Sequence, residues 1–171
     1  MAKAERDAEF TEFVSSRAAW LRKVAFLLCG DWHRADDLVQ ETITRLYTSW
    51  GRVRRADNMD GYARRTLVNV FLSEQRRGWH RFTSSRETVE EEMAVDLDLA
   101  RDLDLRHALA ALPARQRATV VLRYYCDLSV EQTAEALECS TGNVKSQSSR
   151  GLSTLRQLLT IRSNVPVEGL T

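Results

Sequence analysis

Hydrophobic residues recur at helical spacing along the first half of the chain, separated by polar residues. In the first thirty positions they form one stripe, which predicts an amphipathic helix that Gly30 ends. Asp31 is placed to cap a second helix, which Gly51 closes. A polar segment at 52–61 then leads to a third helix over about 62–77. The predicted inward residues of these helices are Phe10, Phe13, Val14, Leu21, Val24, Ala25, Leu28, Ala35, Leu38, Val39, Thr42, Leu46, Trp50, Ala63, Leu67, Val70 and Phe71.

The last third of the chain predicts a compact run of further helices. Pro113 suits the first position of a helix that runs through Tyr125. Ser129 and Gln132 have the spacing of a capping box, which opens a short helix to about Leu137. A tight turn at 138–140 follows, and Ser140 or Thr141 can cap the last helix. A short helix, a tight turn and a longer helix form a helix-turn-helix pattern. The predicted inward residues here are Leu105, Ala108, Leu109, Leu112, Val144, Leu152, Leu155 and Leu158.

The segment between these two runs of helices has the composition of a linker. Residues 83–104 lack dense apolar periodicity and are rich in serine and acids. We therefore expect two small helical domains, at 1–82 and 105–160, joined by a flexible acidic linker at 83–104 and followed by a tail at 161–171. The chain has only 2 prolines and 7 glycines, which favours long helices. The predicted fold class is all-α.

Charge is segregated along the chain although the formal net charge is only +1. A small net charge by itself predicts no affinity for polyanions, but a basic segment can bind one locally. Arginines dominate 52–86, at Arg52, Arg54, Arg55, Arg64, Arg65, Arg76, Arg77, Arg81 and Arg86. Acids dominate 87–104, at Glu87, Glu90, Glu91, Glu92, Asp96, Asp98, Asp102 and Asp104.

Three surfaces carry candidate binding residues. The last helix offers Lys and Arg for guanine edges or phosphates and Asn and Gln for adenine, through Thr141, Asn143, Lys145, Ser146, Gln147, Ser149 and Arg150. The arginine-rich third helix, with Tyr62, Phe71, Trp79 and Phe82, has the composition of a single-strand binder. The second helix shows an acidic and amide side that suits a basic protein partner, at Asp36, Asp37, Gln40 and Glu41. For each surface the alternative is an ordinary solvated face, with Phe71 in the core.

Catalysis, metal binding and membrane insertion find no support in the sequence. The histidines His33, His80 and His107 lie far apart and in no catalytic motif. Cys29, Cys126 and Cys139 lack ligand spacing, so we expect reduced, partly buried thiols and no cofactor. The amino terminus is polar, and no apolar run approaches the roughly 20 residues that span a bilayer. The sequence predicts a cytoplasmic protein that is not an enzyme.

Several motifs, in order, resemble one family. Residues 36–43 resemble the polymerase-binding signature in region two of sigma factors, and 67–77 are similar to the promoter-contacting helix that follows it. Residues 111–117, 124–128 and 140–146 are similar to region four. On these motifs the chain resembles an extracytoplasmic-function (group four) RNA polymerase sigma factor, of the SigE-like type found in actinobacteria. The predicted domains then correspond to a region-two helical bundle and a region-four helix-turn-helix.

The resemblance implies a role for each candidate surface. Asp36, Asp37, Gln40 and Glu41 would bind the clamp helices of core RNA polymerase, and region four would bind its flap. The loop 53–60 would meet the minus-ten element and help to melt it by holding a flipped base, together with Arg64, Arg65, Asn69, Arg76 and Arg77. Lys145, Ser146, Ser149 and Arg150 would face the minus-thirty-five element. The partners implied are core polymerase, promoter DNA in duplex and single-stranded form, and an anti-sigma factor, with a location at the nucleoid.

The chain departs from the family pattern at three positions. Gln147 stands where arginine is common, Ser148 where a larger apolar residue is usual, and Ser73 where aspartate is frequent. Two alternative functions stay open at this point. One is an ordinary regulator that binds duplex DNA through its carboxy-terminal helices, and the other is a sigma-like protein that occupies polymerase but reads no promoter.

Overall fold

The computed structural model describes residues 2–78 and 103–163, and every described secondary-structure element is helical. The predicted linker, apart from Leu103 and Asp104, lies outside the described residues, as do Trp79 and Phe82. The helices are α1 (Lys3–Cys29), α2 (Trp32–Thr48), α3 (Trp50–Val53), α4 (Met59–Arg77), α5 (Leu103–Ala111), α6 (Ala114–Val120) with a π-helical continuation at Val121–Tyr125, α7 (Val130–Leu137) and α8 (Thr141–Ser163).

Most helix ends are set by the residues that the sequence indicates. Gly30 terminates α1 in the left-handed conformation with φ 76°, which a glycine adopts without steric cost. The Asp31 carboxylate accepts a hydrogen bond from the Arg34 backbone N–H at 3.1 Å and so begins α2. Ser129 and Gln132 form the predicted capping box, and Ser140 caps α8 by accepting from the Asn143 N–H at 3.1 Å. These predicted caps are confirmed.

The prediction was wrong where α2 passes into the next turn. Helix α2 ends at Thr48, and Gly51 lies inside α3 instead of closing α2. Trp50 and Val53 are fully buried, so the core holds this turn in helical form despite the glycine and arginine beside them. The polar loop is therefore shorter than predicted. Helix α4 begins at Met59, because Asn58 caps it by accepting from the Gly61 N–H at 2.8 Å.

The carboxy-terminal helices also differ in detail from the prediction. Pro113 occupies the cap position and α6 begins one residue later. The Cys126 N–H donates to the Val121 carbonyl at 3.0 Å, which closes the π-helical turn. The predicted linker extends too far, since Leu103 and Asp104 already belong to α5, and the predicted tail starts too early, since α8 continues to Ser163.

One hydrophobic core runs through both groups of helices in the described residues. Helix α4 packs on α1 and α2 on one side and on α6 and α7 on the other, and α1 also contacts α5 and α6. Phe26, Leu27, Val68 and Leu72 are consequently buried in addition to the predicted inward stripes. None of the helices within 2–78 and 103–163 combines the length and hydropathy that a bilayer crossing requires.

Candidate functional site

The acidic face of α2 is exposed along one side of the helix. Asp37, Gln40 and Glu41 are exposed and Asp36 is half-buried. The opposite side is anchored in the core through Ala35, Leu38, Val39, Thr42 and Leu46. The structure thus brings the four predicted residues together on a helix that cannot rotate without exposing its apolar side.

Asp36 is held within the chain by a side chain of α1. Arg22 donates to its carboxylate from Nε at 2.6 Å and from Nη2 at 3.3 Å. The same guanidinium lies over the Trp32 ring, 4.4 Å from its centroid, and Trp32 stacks on Phe26 with centroids 3.9 Å apart. This fork and stack fix the start of α2 relative to α1. Sequence spacing gave no sign of it, because Arg22 and Asp36 lie on different helices.

The remaining acidic residues differ in how open they are. Glu41 pairs with Arg45 one turn later at 2.8 Å, and both side chains are about half exposed, so the pair is weak. Asp37 is exposed and forms no side-chain hydrogen bond or ion pair with the described residues. Asp37 and Gln40 are therefore the most available groups of this face for a partner.

The arginines of α4 fall into two pairs. Arg76 and Arg77, in the last turn, are exposed. Arg64 lies over the Trp20 ring of α1, 5.2 Å from its centroid, and Arg65 forms an ion pair with Glu138. Asn69 is half-buried. Phe71 is fully buried, so it cannot stack on a base, and the alternative placement of Phe71 in the core is confirmed.

The loop before α4 is tied to α1. Asp60, in the first turn of α4, pairs with Arg17, and that guanidinium lies 4.2 Å from the centroid of the Phe13 ring. Asp57 and Asn58 are exposed. The loop therefore has a fixed carboxy-terminal end and an open tip.

Helix α8 presents the predicted polar residues on its solvent side. Thr141, Asn143, Lys145, Ser146, Ser149 and Arg150 are exposed, and Gln147 is half-buried. The opposite side is formed by Val144, Ser148, Gly151 and Leu155, all buried at helical spacing. This arrangement gives the second helix of the helix-turn-helix one free polar face.

Ser148 and Gly151 explain how α8 packs with a small residue where a larger one is usual. Ser148 is 7% exposed, and its hydroxyl lacks a hydrogen-bond partner among the described residues. A Cβ placed on Gly151 would stand 2.7 Å from Cγ2 of Val120. Because α8 lies so close to α6, the seam has room only for small side chains.

The cysteines are free thiols within the described structure, as predicted. Burial raises the pKa of Cys29 to about 11 and that of Cys126 to about 11. A thiol of such high pKa is protonated at neutral pH and is a poor nucleophile and metal ligand. No group of three or more His, Cys, Asp or Glu residues is placed to hold a metal in the described part of the chain.

Comparison with known proteins shows the family of the chain. Residues 13–81 match the model of sigma-70 region 2, and residues 102–155 match that of sigma-70 region 4. The RNA polymerase sigma-E factor of Streptomyces avermitilis is 34% identical over 160 residues, which cover 90% of this chain and 87% of that protein. The ECF RNA polymerase sigma factor SigE of Mycolicibacterium smegmatis is 32% identical over 90% of this chain and 62% of its own length.

A solved structure supports the same conclusion for the fold. The sigma factor RpoE of Bartonella quintana, in complex with the anti-sigma factor NepR, matches with a TM-score of 0.73 and 29% identity. The match covers 90% of this chain and 98% of that one. Sigma factors act on core RNA polymerase in the cytoplasm and recognise promoters to initiate transcription; they are regulators, not enzymes. With both sigma regions in order and relatives matched over most of its length, the chain belongs to the extracytoplasmic-function RNA polymerase sigma factors, of the SigE-like type.

Proposed function

We propose that three exposed faces of the chain each bind a different target during transcription initiation. The α2 face of Asp36, Asp37, Gln40 and Glu41 binds the clamp helices of core RNA polymerase. Helix α4 and the loop before it bind the minus-ten element, and the solvent side of α8 recognises the minus-thirty-five element. The carrying observation is that α2 and α8 each present one polar face while the opposite side of the same helix is anchored in the core.

The α2 face is suited to a basic protein surface. Asp37 and Gln40 are exposed and available to a partner, while the carboxylate of Asp36 already accepts hydrogen bonds from Arg22. We therefore assign Asp37 and Gln40 as the main contacts and Asp36 as the residue that orients α2. A charge on such a face steers association and contributes most where binding desolvates it.

The α8 face is suited to the major groove. Lys145 and Arg150 can reach guanine edges or phosphates, and Asn143 can reach adenine, each good bidentate contact discriminating by roughly 1–3 kcal/mol. The amino terminus of α8 also favours a phosphate. Gln147 is half-buried, so it contributes less direct contact than its exposed neighbours. The flap of polymerase would contact this same carboxy-terminal group of helices.

The α4 region is suited to an opened strand. Arg76 and Arg77 are exposed and can follow a phosphate backbone, while Asn69 and the tip of the loop can meet bases. Unstacking a base costs a few kcal/mol, which contacts available only in the opened strand can offset. Melting on this account is differential binding and needs no nucleotide hydrolysis.

Two further features follow from the family. The Bartonella quintana relative is described in complex with an anti-sigma factor, and we infer that a protein of this kind also binds the present chain. We also infer that the holoenzyme places the chain at the nucleoid, since its target is promoter DNA.

Charge changes on the α2 and α8 faces should separate the roles of these two faces. Asp37→Lys should weaken binding to purified core polymerase by about tenfold or more, because the new positive charge would be repelled by a basic partner surface. Lys145→Ala with Arg150→Ala should leave core binding intact and abolish promoter-dependent run-off transcription. The matched control is Glu12→Lys, which makes the same charge change at an exposed position on α1.

The result of the run-off assay also decides between the functions considered from sequence. Unchanged core binding by Asp37→Lys would overturn the α2 assignment. Promoter-specific initiation by the Lys145 and Arg150 double variant would overturn the α8 assignment. A wild-type chain that binds core but supports no initiation would indicate a sigma-like protein that reads no promoter.

A further inference from the structure

One side of helix α1 faces the segment that leads from α3 into α4. Four residues recur on this side at helical spacing, Glu9, Phe10, Phe13 and Arg17. Phe10 and Phe13 both pack on the fully buried Trp50 of α3, with ring centroids 5.2 Å and 5.3 Å from the indole. These aromatic contacts fix α1 against α3 immediately before the loop that leads to α4.

The first residue of this loop, Arg54, forms an ion pair with α1. Its Nε lies 3.4 Å from Oε2 of Glu9. That carboxylate oxygen is shielded from solvent and has no hydrogen-bond partner among the described residues. Because a shielded charge interacts more strongly with its neighbour than a hydrated one does, the pair holds the start of the loop against α1.

The other end of the loop is attached to the same side of α1, two turns further along. Arg17 pairs with Asp60 in the first turn of α4, and it also donates to Oγ of Ser16 at 2.7 Å. One turn beyond Asp60, Arg64 lies over the ring of Trp20. Helix α1 therefore runs beside the chain, in the same direction, from the start of the loop into α4.

The middle of the loop is also ordered by contacts within the chain. The Ala56 N–H donates to the Val53 carbonyl at 3.1 Å, which continues the turn of α3. The side chain of Asn58 caps α4 at Gly61, and a Cβ on Gly61 would stand only 2.6 Å from Nδ2 of Asn58. The cap thus has room because residue 61 is a glycine. Asp57 remains as the exposed tip.

We infer that Glu9 and Arg17 of α1 are positioning residues for promoter melting, which hold the loop between α3 and α4 in the shape that receives a flipped base. The inference rests on the proposed function, which assigns this loop to the minus-ten element. A loop that is ordered beforehand loses less conformational entropy on binding than a mobile one. Neither residue belongs to the faces assigned to polymerase or DNA, so both act through the loop.

The test compares holoenzymes assembled from purified core polymerase and either the wild-type chain or the Glu9→Gln, Arg17→Gln double variant. Glutamine removes each charge and preserves the helix. The matched control is the Lys3→Gln, Glu12→Gln double variant, which also removes one charge of each sign, at exposed positions of α1. The two single variants test the two ends of the loop separately.

The probe is the single-stranded oligonucleotide that the wild-type holoenzyme selects from a randomised pool, with a series in which one base at a time is removed. The Glu9, Arg17 double variant should bind the intact oligonucleotide about three- to tenfold more weakly, since two partly exposed ion pairs are lost. Where the missing base is the one that the loop holds, variant and wild type should bind equally. At every other position the loss should persist.

A second measurement uses the free chain without polymerase or DNA. Hydrogen exchange of the Ala56 amide, followed by NMR, should be about three- to tenfold faster in the double variant than in the wild type or the control, because the loop opens locally more often.

Each result has a defined meaning. A loss of binding that disappears at one abasic position supports the positioning role. A loss of equal size at every position shows that the two charges act through overall charge or stability and overturns the inference, as does a double variant that binds like the wild type. A wild type that binds every member of the series equally overturns the assignment of the loop to a flipped base. Faster exchange at Ala56 in the variant would then still support the ordering of the loop by α1, and unchanged exchange would overturn that as well.

Discussion

At the scale of single residues, the packing of helix α8 depends on small side chains on its buried side. Ser148 and Gly151 stand one turn apart on α8, and Gly151 lies where a Cβ would overlap Cγ2 of Val120. The side chain of Val120 has one strongly preferred χ1 rotamer in a helix, so moving its Cγ2 methyl away would cost free energy. The close approach of α8 to α6 therefore fixes the angle at which the polar face of α8 is presented.

Gly151→Ala should destabilise the protein although alanine favours a helix. Overpacking costs roughly 1–3 kcal/mol, and the gain in helix propensity offsets about 1 kcal/mol, so we expect a net loss of up to about 2 kcal/mol in the free energy of unfolding. Gly142→Ala in the same helix is the control, because its Cβ would meet only Ser140 Oγ at 3.9 Å; it should be neutral or slightly stabilising. Urea denaturation followed by circular dichroism measures both. Equal stability of the two variants would contradict the close seam.

At the scale of elements, the sequence correctly predicted those features, such as helix caps, that depend only on residues close together in the chain. The caps at Asp31, Ser129 and Ser140 were found because a capping side chain acts within three positions of itself. The break between α2 and α3 was misplaced, because burial of Trp50 and Val53 outweighed the local preference of Gly51. The hydrogen bonds from Arg22 to Asp36 join two different helices, so no pattern of neighbouring residues in the sequence predicts them. The roles proposed for α2 and α8 rest on the ordered motifs of the sequence, while the exposure and partners of each side chain depend on tertiary packing.

The capping box of α7 should carry a measurable share of the stability of the carboxy-terminal helices. The Ser129 hydroxyl accepts from the Gln132 N–H at 3.0 Å, and the Gln132 side chain accepts from the Ser129 N–H at 2.9 Å. Ser129→Ala should lower the free energy of unfolding by about 1 kcal/mol, since α7 is short and its first N–H groups would lose a partner. Ser153→Ala, at an exposed position within α8, should be neutral or slightly stabilising. A similar loss in both variants would show that the cap adds nothing specific.

At the scale of the whole molecule, one core joins helices that the sequence suggested were two separate domains. A clue was present in α4, where 67, 68, 70, 71 and 72 are all apolar. A helix with a single buried side would have shown polar residues at some of these positions. The second apolar side indicates a second neighbour, but the pattern does not identify that neighbour, because contacts between distant segments are set by tertiary packing.

The partly buried thiols of Cys29 and Cys126 allow this joint core to be tested through the pH dependence of stability. Cys29 of α1 interacts electrostatically with Arg117 of α6, and Cys126 interacts in the same way with Arg64 of α4. Each thiol therefore lies near a charge from the opposite group of helices. Burial raises both pKa values from 9.0 to about 11. Between pH 9 and 11 the unfolded chain loses thiol protons that the folded chain keeps.

The free energy of unfolding should therefore fall as the pH rises through that window. The loss should reach at most about 2–3 kcal/mol for each thiol, at about 1.4 kcal/mol per pKa unit. Urea midpoints under reducing conditions, compared between the wild type and the Cys29→Ala, Cys126→Ala double variant, isolate this effect, because lysine and tyrosine titrate in both proteins. The double variant should show a shallower decline. Parallel curves would mean that both thiols reach solvent in the folded chain, which would contradict a core closed across the two groups of helices.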